Sequence, residues 1–164
     1  MCEAGEGPDS MVALARLEGP LRGAVHRLKY GDRPQMAAPI IQATLDRRRV
    51  GPGLIVPVPL HPSRRRRRGY NQAELLADHL ARLTGGEVLR GLARIGAGGR
   101  QVGRGGAQRR EALTGNFAWV ASRSPASVVI VDDVVTTGST LLECALAAQR
   151  GGVERVDALA VALG

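Results

Sequence analysis

The sequence contains few aromatic residues, few cysteines and no long apolar run. Aromatic residues make up only 2% of the 164 residues, so a core must be built from Val, Leu, Ile and Ala. Cys2 and Cys144 are too few for a zinc site or a disulfide framework, and a buried thiol is expected for Cys144, which falls in a helical pattern. Without a membrane span or an apolar signal core in residues 1–10, we expect a soluble cytoplasmic protein with no membrane partner.

Lysine is equally scarce. The chain has 23 basic residues, and because Lys29 is the sole lysine, the other 22 are arginines. Part of this bias reflects genome composition, but the net charge of +8 still favours anionic ligands, either phosphates or nucleic acid. The length predicts one domain that can bury a core without metals or disulfides. We divide the chain into an N-terminal segment, 1–16, and a single domain, 17–164.

Strand and helix patterns alternate along the chain. Apolar runs predict strands at residues 11–17, 54–60, 88–95, 117–120, 128–131 and 155–163, and helical spacing predicts helices around residues 20–28, 34–45, 71–83 and 140–146. Asn71 is the expected N-cap of the third helix, and Gly85 ends it. This order predicts an α/β fold with a mainly parallel sheet flanked by helices.

The most informative segment is residues 128–140. A buried strand, residues 128–131, is followed by Asp132 and Asp133 at its carboxyl end, and then by a loop rich in hydroxyl groups that opens a helix. Backbone N–H groups, hydroxyls and the positive end of the helix dipole would surround one small anion. Phosphate on one side and carboxylate acceptors on the other describe a site for a sugar phosphate with free hydroxyls.

Other interpretations of this segment are weaker. Two acids could simply cap the following helix, and receiver domains also place adjacent acids at a strand end. That receiver pocket usually lies on the first strand, however, and no threonine-rich loop follows its acids. The Gly-Lys-Ser/Thr of a nucleotide P-loop is missing as well.

Taken whole, residues 128–140 resemble the phosphoribosyl-pyrophosphate (PRPP) motif of type I phosphoribosyltransferases. The remaining landmarks are similar to those of the ComF family of competence-associated phosphoribosyltransferases, and they come in the same order. They are Lys29-Tyr30-Gly31, Val56-Pro57-Val58-Pro59-Leu60-His61, Arg68-Gly69-Tyr70-Asn71-Gln72, Gln101, Arg109-Arg110, Gly115 and Phe117. The family pattern often has Asn where Ala112 stands here. Related proteins often begin with a zinc-binding segment rich in cysteine, and we expect this chain to lack it.

The resemblance implies a type I phosphoribosyltransferase-like fold and a Mg²⁺-dependent transfer of phosphoribose from PRPP to an unidentified acceptor, with release of pyrophosphate. It implies that Asp132 and Asp133 accept from the ribose hydroxyls and stabilise the oxocarbenium-like sugar. Mg²⁺ would be held mainly by the diphosphate and water rather than directly by the protein. The loops implied are a 5′-phosphate loop of Thr136, Thr137, Gly138, Ser139 and Thr140, and a pyrophosphate loop of Val58, Pro59, Leu60 and His61.

Further candidate ligand contacts are Lys29, Arg68, Asn71, Arg100, Arg104, Arg109 and Arg110. Lys29 could equally just end a helix, and the Gly-rich residues 96–106 are either a lid over pyrophosphate or a surface loop. The five arginines 64–68 are expected in a loop that is solvated, reaches ligand phosphates, or binds single-stranded DNA.

The alternative function is a non-catalytic PRPP- or nucleotide-binding component of a DNA-uptake machinery, acting with a helicase-like partner. A homodimer also remains open at this point.

Overall fold

The computed structural model describes residues 7–46, 50–95 and 115–164. Its strands are β1 Ser10–Arg16, β2 Leu54–Pro57, β3 Glu87–Val88, β4 Leu92–Arg94, β5 Phe117–Trp119, β6 Ser127–Val135 and β7 Arg155–Leu163. Its α-helices are α1 Gly19–Tyr30, α2 Ala37–Thr44, α3 Pro62–Arg68, α4 Gln72–Thr84 and α5 Ser139–Arg150; a 3₁₀ turn, Pro34–Met36, leads into α2.

The central sheet has five parallel strands in the order β1-β7-β6-β2-β3. A small antiparallel pair, β4 and β5, lies apart from it. The predicted α/β class with a mainly parallel sheet is therefore confirmed. Because all five strands run in one direction, their carboxyl ends share one edge, where open α/β sheets bind ligands.

Helices cover both faces of this sheet, as its parallel strands require. On one face, Ile55, Val131 and Val161 pack with apolar residues of α1, α2 and α4. On the other face, Val56 and Ile130 pack with α5 and with the β4–β5 pair. The alternation along each strand divides the core into these two layers. Cys144 is a buried, free thiol in the second layer, as its helical spacing predicts.

One predicted loop is a helix. The arginines 64–68 belong to α3, which begins with Pro62 at its first position and ends at Gly69, where φ is +82°. The nitrogen Nδ1 of His61 accepts from the N–H of Ser63 and caps the start. Arginine has a high helix propensity, and cations in the last turn complement the helix dipole, so the run extends a helix rather than interrupting it.

Two predicted strands have different limits. β6 does not end at Val131: it runs to Val135 and contains both acids, because β7 continues beside it and pairs Asp132 with Ala160 and Val135 with Leu163. The predicted strand at residues 88–95 is two strands, β3 and β4, in different sheets. Gly91 lies between them, against the ring of Trp119, where a side chain would collide.

The predicted strand at residues 54–60 ends early, at Pro57. The last hydrogen bond between β2 and β6 runs from the N–H of Val58 to the oxygen of Val131. Pro57 and Pro59 then stop the ladder, as expected, because they have no N–H to donate. Residues 10–16 of the predicted N-terminal segment lie in β1, which pairs with β7. The lid prediction and the candidate contacts Arg100, Arg104, Arg109 and Arg110 fall outside the described residues.

Candidate ligand site at the carboxyl ends of the strands

Asp132 and Asp133 lie near the carboxyl end of β6 and belong to opposite faces of the sheet, because side chains alternate along a strand. Asp133 is on the side of α1, where its carboxylate meets Lys29. Asp132 is on the side of α5, where its charge adds to burial in raising the pKa of the Cys144 thiol. The two adjacent acids therefore face different helices.

The carboxylate of Asp133 is almost fully buried, with 5% of its side chain exposed. Its Oδ1 accepts from the N–H of Val134 at 2.7 Å, and its Oδ2 lies 3.1 Å from Nζ of Lys29. Apart from this ion pair, Oδ2 has no hydrogen-bond partner among the described residues, and the charge of Lys29 offsets the cost of burying the carboxylate. Lys29 lies in the last turn of α1, as one of its two interpretations predicts, and it also reaches the candidate site by pairing with Asp133.

Asp132 is half-buried, and its pKa is raised to about 7. Burial is the largest cause, and the negative charge of Asp133 adds to it. The N–H of Asp133, 2.8 Å from Oδ1 of Asp132, and the charge of Lys29 act in the opposite direction. Three charged groups therefore share a small volume, and Asp132 takes up or releases a proton near neutral pH.

The candidate phosphate loop directly follows β6. Thr136, Thr137, Ser139 and Thr140 are exposed, and the hydroxyls of Thr137 and Ser139 lie 2.8 Å apart. Gly138 is the N-cap of α5 and has no side chain to cap it, while the N–H of Ser139, the first residue of the helix, donates to Oγ1 of Thr137 at 3.4 Å. Hydroxyls and the first N–H groups of a helix suit an anion.

Gly138 adopts φ +80°, a conformation that glycine tolerates and other residues rarely adopt. A Cβ built at this position would lie 3.4 Å from Sδ and Cε of Met11 in β1. Met11 therefore underlies the loop. Nothing in the spacing of the sequence indicates this contact, because it depends on β1 taking the edge of the sheet beside β7.

The candidate pyrophosphate loop starts where β2 ends, beside β6. The N–H of Val58 donates to the oxygen of Val131, the residue before Asp132, at 2.9 Å. Val58 is buried, Pro59 and Leu60 are half-buried, and His61 is exposed at the start of α3. The loop is therefore adjacent to the paired acids.

Besides Lys29, two more of the candidate ligand contacts already have partners within the protein. The amide of Asn71 caps α4 by accepting from the N–H of Ala73, as predicted, and donates to the oxygen of Val58. The guanidinium of Arg68 donates to Oε1 of Gln72 and lies over the ring of Tyr30, 5.5 Å from its centroid. Asn71 is too enclosed to touch a ligand without giving up these bonds.

The other arginines of α3 are exposed. Arg65 pairs with Glu74 of α4 at 2.7 Å. Arg64, Arg66 and Arg67 have no acidic partner within the described ranges, so their charge faces solvent close to the candidate pyrophosphate loop.

A contact that the sequence did not reveal joins α1 to the region before α4. The hydroxyl of Tyr70 donates to the oxygen of Leu28 at 2.6 Å, over a separation of 42 residues. The Arg68-Gly69-Tyr70-Asn71-Gln72 motif marks these residues, but only the fold shows which carbonyls they reach.

The described residues contain no cluster of three or more His, Cys, Asp or Glu that could hold a metal ion. Two carboxylates alone do not form a cage for Mg²⁺, which prefers oxygen ligands and retains water. They do suit an ion that arrives with a diphosphate. None of the helices in residues 7–46, 50–95 and 115–164 is long and apolar enough to cross a membrane.

Fold and site together define an α/β protein of type I phosphoribosyltransferase-like architecture, with paired acids and a hydroxyl-rich loop at the carboxyl ends of its strands. No protein-family model matches the chain. It is 33% identical over 161 residues to "Competence protein F" of Haemophilus influenzae, covering 91% of this chain and 70% of that relative. It is also 35% identical over 156 residues to "DNA utilization protein YhgH" of Salmonella typhimurium and 34% identical to that of Escherichia coli K12, covering 90% of this chain and 69% of each relative. The chain therefore belongs to the ComF family.

Proposed function

We propose that this chain binds PRPP with Mg²⁺ and transfers its phosphoribose to an acceptor, releasing pyrophosphate, in a competence or DNA-utilization role. The names of its relatives support the role. The observation that carries the chemistry is the placement of three features at one edge of the sheet. These are the paired acids, the loop 136–140 at the start of α5, and the loop 58–61 that leaves the neighbouring strand.

Each feature corresponds to one part of PRPP. The loop 136–140 would take the 5′-phosphate, because hydroxyls and the first N–H groups of α5 favour an anion. Asp132 and Asp133 would accept from the ribose hydroxyls, and Asp132 is the more exposed of the two acids. The loop 58–61, with the cations of α3 beside it, would take the diphosphate.

In the proposed transfer, the bond from C1 of the ribose to the pyrophosphate oxygen breaks, and a bond from C1 to the acceptor atom forms. The positive charge that develops on the sugar is stabilised by the carboxylates of Asp132 and Asp133. Lys29 holds the Asp133 carboxylate in place. Mg²⁺, carried with the diphosphate near Asp132 and Asp133, would neutralise the charge of the leaving group.

Calorimetric titration with PRPP and Mg²⁺ tests the binding. Asp132→Asn and Asp133→Asn should each weaken PRPP at least about tenfold, since a hydrogen bond to a charged group contributes ~1.5–3 kcal/mol. Asp157→Asn is the matched control, because Asp157 is a partly exposed acid near the amino end of β7 and pairs with Arg155. Wild-type affinity in both site variants would refute the assignment.

Release of pyrophosphate in the presence of candidate acceptors tests the transfer. Binding of PRPP without turnover for any acceptor would favour the alternative, a non-catalytic ligand-binding component that acts with a helicase-like partner.

A second candidate function is single-stranded DNA binding through α3. The observation that favours it is the exposure of Arg64, Arg66 and Arg67 without acidic partners among the described residues. Replacing these three arginines by Gln should weaken DNA binding and flatten its salt dependence, because fewer counterions are released. Arg155→Gln is the control, because Arg155 is an exposed arginine at the amino end of β7, the opposite edge of the sheet from α3. Unchanged DNA binding in the triple variant would remove this candidate.

A further inference from the structure

Two consecutive residues, Tyr70 and Asn71, connect parts of the molecule that lie on either side of the candidate site. They occupy the short link between α3 and α4. We call them the Tyr70–Asn71 clamp. Sequence reasoning gives Asn71 a capping role and a ligand contact, and it assigns no partner to Tyr70.

Asn71 fixes the beginning of the candidate pyrophosphate loop. Its side chain is enclosed, with 2% of the residue exposed. Its Oδ1 accepts from the N–H of Ala73 at 3.0 Å, which caps α4, and its Nδ2 donates to the oxygen of Val58 at 2.9 Å. The N–H of Val58 is bonded to Val131 on the other side. The N–H of Val58 therefore bonds to β6, the strand that contains the acids, and the carbonyl oxygen of Val58 bonds to Asn71.

A cap alone does not require asparagine. Serine, threonine and aspartate cap helices about as well, because only a side-chain oxygen is needed. The amide nitrogen is what reaches Val58, and neither serine, threonine nor aspartate can donate there in the same way. The donor half of Asn71 is therefore directed at the loop and not at the helix.

Tyr70 holds the opposite side. Its hydroxyl donates to the oxygen of Leu28 at 2.6 Å, one residue before Lys29, whose Nζ lies 3.1 Å from Oδ2 of Asp133. Burial raises the pKa of the Tyr70 phenol, so it remains a donor at neutral pH. Since its backbone adjoins Asn71, the two side chains join the end of α1 to the start of the loop 58–61.

We propose that the Tyr70–Asn71 clamp is a positioning pair. It sets the distance from the Lys29–Asp133 ion pair to the loop 58–61. This inference rests on the proposed PRPP site. Neither residue touches the ligand; each acts through a backbone carbonyl. The clamp keeps the diphosphate loop in register with the acids that hold the ribose, while the 5′-phosphate loop after β6 does not depend on it.

Asn71→Ser tests the pair, since it retains a capping oxygen and removes the donor to Val58. Titration with three ligands separates its effects: PRPP, pyrophosphate with Mg²⁺, and ribose 5-phosphate. We expect about a tenfold loss for PRPP and pyrophosphate, the equivalent of one hydrogen bond, and a change below about twofold for ribose 5-phosphate. Ser124→Ala, which removes a remote hydroxyl bonded to the oxygen of Gly151, is the control and should leave all three affinities unchanged.

Tyr70→Phe is the milder second variant, because it removes only the hydroxyl. If the two residues act as one clamp, either substitution alone already releases the loop. The double variant Asn71→Ser, Tyr70→Phe should then bind PRPP no more weakly than the weaker-binding of the two single variants. Additive losses would refute the pair. Wild-type affinity for PRPP in Asn71→Ser, or an equal loss of all three ligands, would refute the positioning role. Failure of the wild-type protein to bind PRPP would instead refute the proposed function on which the clamp proposal rests.

Discussion

Asp132 and Asp133 are adjacent in β6, yet in the described part of the chain only Asp133 forms an ion pair. Lys29 reaches Asp133, whereas Asp132 faces the helix layer of α5 and forms no ion pair with a described residue. Ionisation of Asp132 therefore adds a second negative charge in a partly buried place. This asymmetry gives the two carboxyls different properties, which the doublet in the sequence does not reveal.

The asymmetry predicts a pH dependence of folding stability. The pKa of Asp132 is about 7 in the folded chain against 3.8 ordinarily, so between these values the folded state keeps a proton that the unfolded state releases. The free energy of unfolding from this group must then fall as pH rises from about 4 to about 7, and level off above that. Urea unfolding at several pH values should show the decline, and Asp132→Asn should lack it. Parallel curves for the two proteins would contradict the shift.

Gly138 supports a second prediction at this scale. Gly138→Ala places a side chain at φ +80°, which should cost about 1 kcal/mol of unfolding free energy and distort the loop, reducing ribose 5-phosphate affinity about tenfold. Gly85→Ala is the matched control, since Gly85 has φ +76°, open space around it and a place at the end of α4. It should lose similar stability and keep its affinity. Equal affinities in both variants would show that Gly138 does not shape a phosphate site.

Residue roles were predictable where they depend on local chemistry. Asn71 as a cap and Gly85 as a helix end follow from short-range preferences, and both are confirmed. The reach of Nδ2 of Asn71 to Val58 and of Tyr70 to Leu28 was not predictable, because each contact spans elements that only the tertiary fold brings together. Lys29 was left between two roles for the same reason.

Among the elements, α3 is the one most at odds with its composition. Five consecutive arginines repel one another, and the helix has seven residues. It begins at Pro62 and ends at Gly69, which has a left-handed conformation. Some of its arginines bond to α4 and the others are exposed to solvent. Arg65 and Arg68 bond to α4, whereas Arg64, Arg66 and Arg67 point to solvent.

The contact between α3 and α4 can be measured. Arg65 and Glu74 lie 2.7 Å apart, with 54% and 19% of their side chains exposed. An exposed pair of this kind contributes about 0.2–1 kcal/mol, so a double-mutant cycle with Arg65→Gln and Glu74→Gln should give a coupling in that range. The coupling should shrink in high salt. Arg64→Gln, without such a partner in the described chain, should couple to Glu74 by less. Equal coupling of both arginines would contradict the geometry.

Element boundaries failed where long-range pairing decides them. β6 was expected to stop at its apolar run, but the neighbouring β7 continues and extends it through the acids. The stretch at residues 88–95 was expected to be one strand, and the close approach of Trp119 to Gly91 accompanies its division into two. Prolines 57 and 59, by contrast, stop β2 by removing donors, which is a local effect and was predicted correctly.

At the scale of the whole molecule, the first described strand takes an edge of the sheet. β1 pairs with β7 from Ser10 to Arg16, Val12 and Leu14 pack against the core on the α1 side, and Met11 underlies Gly138. The fold class was predictable because strands and helices alternate, and that alternation fixes a parallel sheet. The order of the strands could not be predicted, because the sequence of a strand does not indicate which other strand pairs with it.

Deletion of residues 1–16 tests the importance of this edge, and with it the predicted boundary at residue 17. The deletion removes β1 and exposes β7, so we expect a loss of about 2 kcal/mol or more, because Val12 and Leu14 are partly buried and full burial of one such side chain contributes ~1.5–3 kcal/mol. Thermal unfolding and size-exclusion chromatography would measure it. Arg16→Gln, a change at an exposed residue of β1, should have no such effect. A truncated protein that unfolds at the wild-type temperature would support an independent domain starting at residue 17.

The single lysine gives the molecule a built-in chemical reporter. Besides the α-amino group, amine acylation has one side chain to modify, and that amine is only 24% exposed and engaged with Asp133. The rate at which Lys29 is modified, followed by peptide mass spectrometry, would therefore report how accessible the candidate site is to the reagent. A compound that shields Lys29 from the reagent could be recognised in a mixture without any assay of turnover.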